Sequence, residues 1–188
     1  MRLTQLLSER IPWYLKPFFW NQKRKYGQYL EPARVWVSNS RLFMAVASVY
    51  GVLDRNKSPL APELRSLISI RVSQINWCRF CVDLNSATFI KRTHSEEKCQ
   101  ALEHWRQSSL FSDIEKSALH YAEQMTYANQ QVDEDCFNEL KNHFDQKAIV
   151  ELTALIAFQN MSSKFNSALD IEPQGFCRIS ILNDKEVR

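Results

Sequence analysis

Two cysteines lie three residues apart in the run Cys78-Arg79-Phe80-Cys81. Residues at that spacing share one face of a helix, so the two thiols can close into a disulfide with little backbone movement. A helix starting here would direct its unpaired N–H groups and the positive end of its dipole at the sulfurs, favouring thiolate over thiol. Arg79 adds a positive charge nearby. Because the thiolate is the nucleophile in cysteine chemistry, the arrangement suits dithiol–disulfide exchange.

On the residues alone, two other readings of the pair stay open. A zinc site needs four ligands, usually with a second Cys or His pair at a defined spacing. Here Cys99, Cys136, His94 and His120 are scattered singly, and no metal is expected. The other reading is a pair of small, buried, inert side chains. A thioredoxin-type site is not expected, since it needs a strand ahead of the motif and a βαβ pattern around it.

The elements that must position the pair read as helices. Pro62 is well placed as a first helical residue, and Leu64, Leu67, Ile68, Ile70 and Val72 then lead toward Ile75. Upstream, Leu42, Ala45, Val46, Val49 and Leu53 predict a buried stripe. Ser95 before Glu96 and Glu97 reads as a cap, and Ser112 with Glu115 as a capping box. Asp133 and Asp145 are caps for two further helices, the last running from about Lys147 to Leu169 and ending before Pro173 and Gly175. The expectation is an all-α domain of seven or eight helices over residues 35–188. Residues 1–34 form an aromatic arm around Trp13, Tyr14, Phe18, Phe19 and Trp20, packed on the core or on a neighbouring subunit. Pro12 and Pro17 break any long amphipathic helix there, so a membrane-surface anchor is not expected.

Composition excludes several classes. Only 3 glycines and 6 prolines in 188 residues argue against an all-β fold. A net charge of +3, with no long basic stripe, gives no footprint for nucleic acid. The first residues carry Arg2, Glu9 and Arg10, so no secretory leader is expected. The most apolar run, Ala148–Phe158, is too short to span a bilayer and is interrupted by Glu151. The expected location is the cytoplasm, where 5 cysteines rest reduced.

The stretch Leu64–Ala87, with its helix, two-cysteine turn and second helix, resembles the core signature of the carboxymuconolactone decarboxylase family in its alkylhydroperoxidase AhpD-like branch. Phe111–Glu123 and Val150–Ala157, with Asn160 beyond, resemble the helices that follow, so the likeness covers roughly residues 35–172. It implies an all-helical fold that forms homo-oligomers. It also implies a thiol peroxidase without cofactor, which reduces a hydroperoxide with electrons from a dithiol or thioredoxin-like donor. The resemblance assigns the attack on peroxide to Cys81 and closure of the disulfide to Cys78, whereas the helix dipole alone would favour Cys78. The decarboxylase branch usually lacks the cysteine pair, so decarboxylation is not expected.

The sequence departs from this pattern at the proton relay. Where the peroxidases carry a histidine, four residues after the second cysteine, stands Asn85; where they carry a glutamate, twelve before the first, stands Ser66. Glu63, one helical turn before Ser66, is the expected substitute. Asp83 should point away from the thiols and reads as a solvent-facing or capping group, while Glu151, a carboxylate in an apolar helix, reads as a hydrogen-bonded structural acid. His94 and His120 read as surface or packing residues. In the polar run Gln159–Asn166, Asn160 and Ser163 share a face with Ser167, suited to a pocket beside the cysteines or to a subunit contact. The alternative function is a non-catalytic, redox-responsive scaffold of the same fold.

Overall fold

Each longer helix after the arm, α4 excepted, starts at a side chain that accepts the amide three residues on. A computed structural model describes residues 1–5 and 10–177. In it Asn39 caps α3 (Ser40–Leu53), Cys78 caps α5 (Arg79–Thr93), and Ser112 caps α7 (Asp113–Thr126) with a complete capping box. Asp133 caps α8 (Glu134–His143) and Asp145 caps α9 (Gln146–Ala168). Helix α4 (Pro62–Ile75) starts on proline, as does α1 (Lys16–Tyr26) at Pro17. The short α2 (Glu31–Trp36) and α6 (Glu96–Gln100) bring the described residues to nine α-helices; setting aside α1 of the arm and α2 at its border leaves seven, within the number expected for residues 35–188. No strand occurs among the described residues, so the all-α expectation holds.

Helix α4 is the centre of the bundle. It packs on α5, α7 and α9, and Leu67, Ile68, Ile70 and Val72 are wholly buried. Burial on nearly every side leaves polar groups to satisfy. The Ser73 hydroxyl donates to the Ser69 carbonyl and accepts from Gln159 Nε2 at 2.9 Å. Arg71 donates to the buried carboxylate of Glu123, which Trp105 Nε1 (2.9 Å) and Arg106 also reach. Burial alone would raise the Glu123 pKa, but the Trp105 bond and the two guanidinium groups outweigh it and hold the carboxyl below its usual range.

The arm docks through Leu15 and Phe19, which cluster with Trp36 and Phe43; Trp36 also stacks on Phe165 of α9 at 3.7 Å. The chain after α9 locks the arm down. Gln174 accepts from the Glu31 amide and donates to the Tyr29 carbonyl, while Asp83 of α5 accepts from the amides of Gln174 and Cys177. The stripe expected on α3 is not covered. Phe43 and Leu53 are buried, but Leu42 and Val49 each remain 45% exposed, beside Met44 and Val52. The reason is that, among the described residues, α3 packs on α2, α9 and, through Phe43, on α1, and these helices leave its outer face open. Among the described residues, no helix is long and apolar enough to cross a membrane.

Candidate active site

The turn between α4 and α5 places the cysteines. Trp77 adopts a left-handed conformation (φ +56°), uncommon for a bulky residue, and this reverses the chain within three residues of α4's end. Asn76 Nδ2 anchors the turn to α9, donating to Asn160 Oδ1 and Ser163 Oγ at 2.9 Å each. The Cys78 amide donates back to the Ser73 carbonyl at 3.0 Å. Cys78 then serves as the cap of α5: its sulfur accepts from the Cys81 amide at 3.2 Å. Cys78 and Cys81 form a disulfide with their Cα atoms 5.3 Å apart, and they are 1% and 4% exposed.

The two sulfurs have different surroundings. A cavity of about 290 Å³ opens beside Cys81, which lines it; Cys78 does not. Asn166 of α9 also lines the cavity, and its Nδ2 donates to Cys81 Sγ at 3.2 Å. Asn166 is 2% exposed, and its Oδ1 has no partner among the described residues. Aromatic side chains form part of the walls, Trp36 and Phe43 from α2 and α3 and Phe18 and Tyr26 from the arm, among polar ones such as Gln22, Ser69 and Gln159. Tyr50 of α3 lines it too, with 47% of its surface exposed. Burial, most of all, raises the thiols of Cys99 and Cys136 to about 11, leaving them neutral and unreactive near pH 7.

Both departed relay positions line this cavity, as Asn85 on α5 and Ser66 on α4. The structure does not bring Glu63 to the sulfurs. Arg92 NH1 donates to the Pro62 carbonyl and to Ser66 Oγ, so the first turn of α4 lies beside the last turn of α5. Cys81 lies in the opposite, first turn of α5, and Glu63 is not in the cavity wall. Asp83 secures the chain after α9, and Glu151 pairs with Arg55 and accepts from Ser58, both away from the cysteines. His94 ends α5 in a left-handed conformation, and His120 faces Glu139 at 3.7 Å. The charge of Arg79 is taken up by Glu172 at 2.7 Å and Asp170 at 3.8 Å rather than left for the thiols. Sequence reasoning pointed to the polar run in α9 but not to Asn166 as the partner of Cys81, nor to Arg92, Asp54 and Tyr50.

Residues 41–124 match the profile of the Carboxymuconolactone decarboxylase family. The chain is 46% identical to the Escherichia coli protein YnjA over 170 residues, which cover 90% of this chain and 93% of that one. Among solved structures, a peroxidase-related protein from Silicibacter sp. TM1040 superposes with a TM-score of 0.80 at 23% identity, covering 88% of this chain and 87% of that one. A peroxidase-related protein from Ralstonia eutropha JMP134, described as an alkylhydroperoxidase AhpD core, gives 0.78 at 18% identity, with 88% of each chain covered. At these identities the two structures speak for the fold, whereas the extended sequence match and the profile speak for descent. The chain belongs to the carboxymuconolactone decarboxylase family.

Proposed function

We propose that the protein is a thiol-dependent hydroperoxide reductase driven by a dithiol or thioredoxin-like donor. The observation that carries this reading is the asymmetry of the disulfide: of the two cysteines, Cys81 faces a half-open cavity, and Cys78 sits behind it at the helix cap. The reduced Cys81 sulfur attacks the outer oxygen of the hydroperoxide, and the O–O bond breaks. The alkoxide leaves and takes the proton that the thiol gave up, forming an alcohol. Cys81, now a sulfenic acid, is attacked by the Cys78 sulfur; the S–S bond forms and water leaves. A dithiol donor returns two electrons and two protons by exchange through a mixed disulfide.

Asn166 supports this chemistry. Its N–H bond to the Cys81 sulfur favours negative charge there. Asn85 and Ser66 in the relay positions favour a slow or specialised enzyme, because neither side chain takes up a proton near neutral pH.

Steady-state peroxide consumption with excess dithiol tests the reading. Many equivalents consumed per chain, loss of turnover in Cys81→Ser, and one slow event ending at the sulfenic acid in Cys78→Ser are the expected results. Consumption of a single equivalent by the wild type would leave a redox-responsive scaffold instead. Equal rates in Cys81→Ser would reject the site.

A further inference from the structure

The chemistry of the cavity changes along its length. Cys81, Asn85, Thr88 and Arg92 form one stripe of α5 along its wall. From Cys81 to Arg92 the helix rises about 16 Å. At the far end three cations surround one carboxylate. Asp54 lies 3.3 Å from Arg92, 3.9 Å from Arg65 and 3.9 Å from Lys25, and all four residues line the cavity. This corner therefore carries an excess of positive charge. Arg65 is 6% exposed; its NH1 donates to the carbonyls of Leu53 and Arg55, while its Nε has no acceptor among the described residues. A buried guanidinium is costly unless nearby charge compensates it, and here one carboxylate serves three cations. Between the two ends Trp36, Phe43 and Phe158 give the space much of its apolar surface, alongside the polar Asn85 and Thr88 of the α5 stripe.

We propose that the cavity receives an amphipathic organic anion: a carboxylate held by Lys25, Arg65 and Arg92, and an apolar body running along the aromatic walls to Cys81. A neutral ligand would leave the positive corner uncompensated, and a small one such as hydrogen peroxide would leave the apolar walls unfilled. On the peroxidase reading, on which the reaction but not the binding rests, the substrate is the hydroperoxide of a long-chain carboxylic acid. Carbon–carbon bonds of about 1.5 Å, projected along a zigzag chain, put the hydroperoxyl group roughly a dozen bonds from the carboxylate. The reaction is the one written above, giving the hydroxy acid, water and the Cys78–Cys81 disulfide.

Binding to the oxidised protein separates this proposal from the enzymatic one, because it needs no turnover. The probes are dodecanoate, its methyl ester and dodecanol, each below its aggregation limit, titrated calorimetrically or through the fluorescence of the cavity-lining Trp36. Dodecanoate should bind at least ~10-fold more tightly than either neutral analogue, as expected for charge-assisted hydrogen bonds to more than one cation. That preference should shrink to a few-fold in Arg92→Gln and in Lys25→Gln. Lys25 is half-exposed, so its variant keeps the test open if Arg92→Gln fails to fold. Equal affinity for acid and ester, no binding of any probe, or an undiminished acid preference in Lys25→Gln would overturn the proposal. Acid-selective binding without turnover of the matching hydroperoxide would instead overturn the peroxidase reading and leave the binding site standing.

Discussion

Replacing Asn166 by leucine removes one donor from the Cys81 sulfur while keeping nearly the same volume in a site that is 2% exposed. A hydrogen bond to a charged partner contributes about 1.5–3 kcal/mol. Sulfur is a weak acceptor, and the 3.2 Å contact is a single bond, so the lower end applies. A difference of about 1.4 kcal/mol between thiolate and thiol is a tenfold change in thiolate population. Asn166→Leu should therefore lower the rate of Cys81 alkylation in the reduced protein at neutral pH by ~10-fold. Peroxide turnover should fall by a similar factor, because the thiolate is the attacking species. Asn166→Asp keeps the shape but sets a negative charge beside the sulfur, and should be slower still. The measurement is the pseudo-first-order rate of iodoacetamide labelling at Cys81 across pH, read by peptide mapping, with circular dichroism to establish that the fold is kept. An unchanged rate profile in a folded Asn166→Leu protein would refute the idea that this amide tunes the sulfur.

Three further outcomes follow from the geometry. Glu63→Gln should leave peroxide turnover unchanged across pH, since Glu63 sits at the opposite end of α5 from Cys81; a clear loss in steady-state rate would show that it reaches the chemistry after all. Glu123→Gln should destabilise the fold by about 3 kcal/mol or more in denaturant unfolding, because two arginines lose their buried counter-charge. As the folded Glu123 pKa is depressed, its contribution is present above the unfolded carboxyl pKa and is lost as pH falls through the folded one; the wild type should lose stability on acidification more steeply than Glu123→Gln. Light scattering should find the wild type self-associated through the open face of α3 and Val49→Glu shifted toward monomer; a monodisperse wild-type monomer would leave Leu42, Met44, Val49 and Val52 unexplained.

What could be read from the sequence was mostly what is local in the chain. The caps at Ser95, Ser112, Asp133 and Asp145 each depend on an amide three residues away, and each forms. The cysteine pair is local in the same sense. Glu63 was misplaced relative to the sulfurs because its position depends on the antiparallel lie of α4 against α5, which periodicity along either helix does not encode. Asn166 meets Cys81 across 85 residues, and the only hint was its place at the end of the polar run in α9. Within that run, Asn160 and Ser163 hold the turn before Cys78, and Asn166 reaches the next turn along. The outward-facing stripe of α3 shows the converse limit: helical periodicity identifies an apolar face without saying whether the same chain covers it.

The sulfur of Cys78 is also the cap of α5, and this couples the oxidation state of the pair to the stability of a helix end. A thiolate accepts the Cys81 amide more strongly than a disulfide sulfur does, so the start of α5 is held more firmly in the reduced, ionised protein. Linkage runs both ways: whatever tightens the first turn of α5 shifts the couple toward the dithiolate, and whatever frays it shifts the couple toward the disulfide. The Cys81 amide is therefore a built-in reporter. Its hydrogen-exchange rate should fall when the protein is reduced, and substitutions in the first turn of α5 that touch neither sulfur should still move the midpoint of its redox titration.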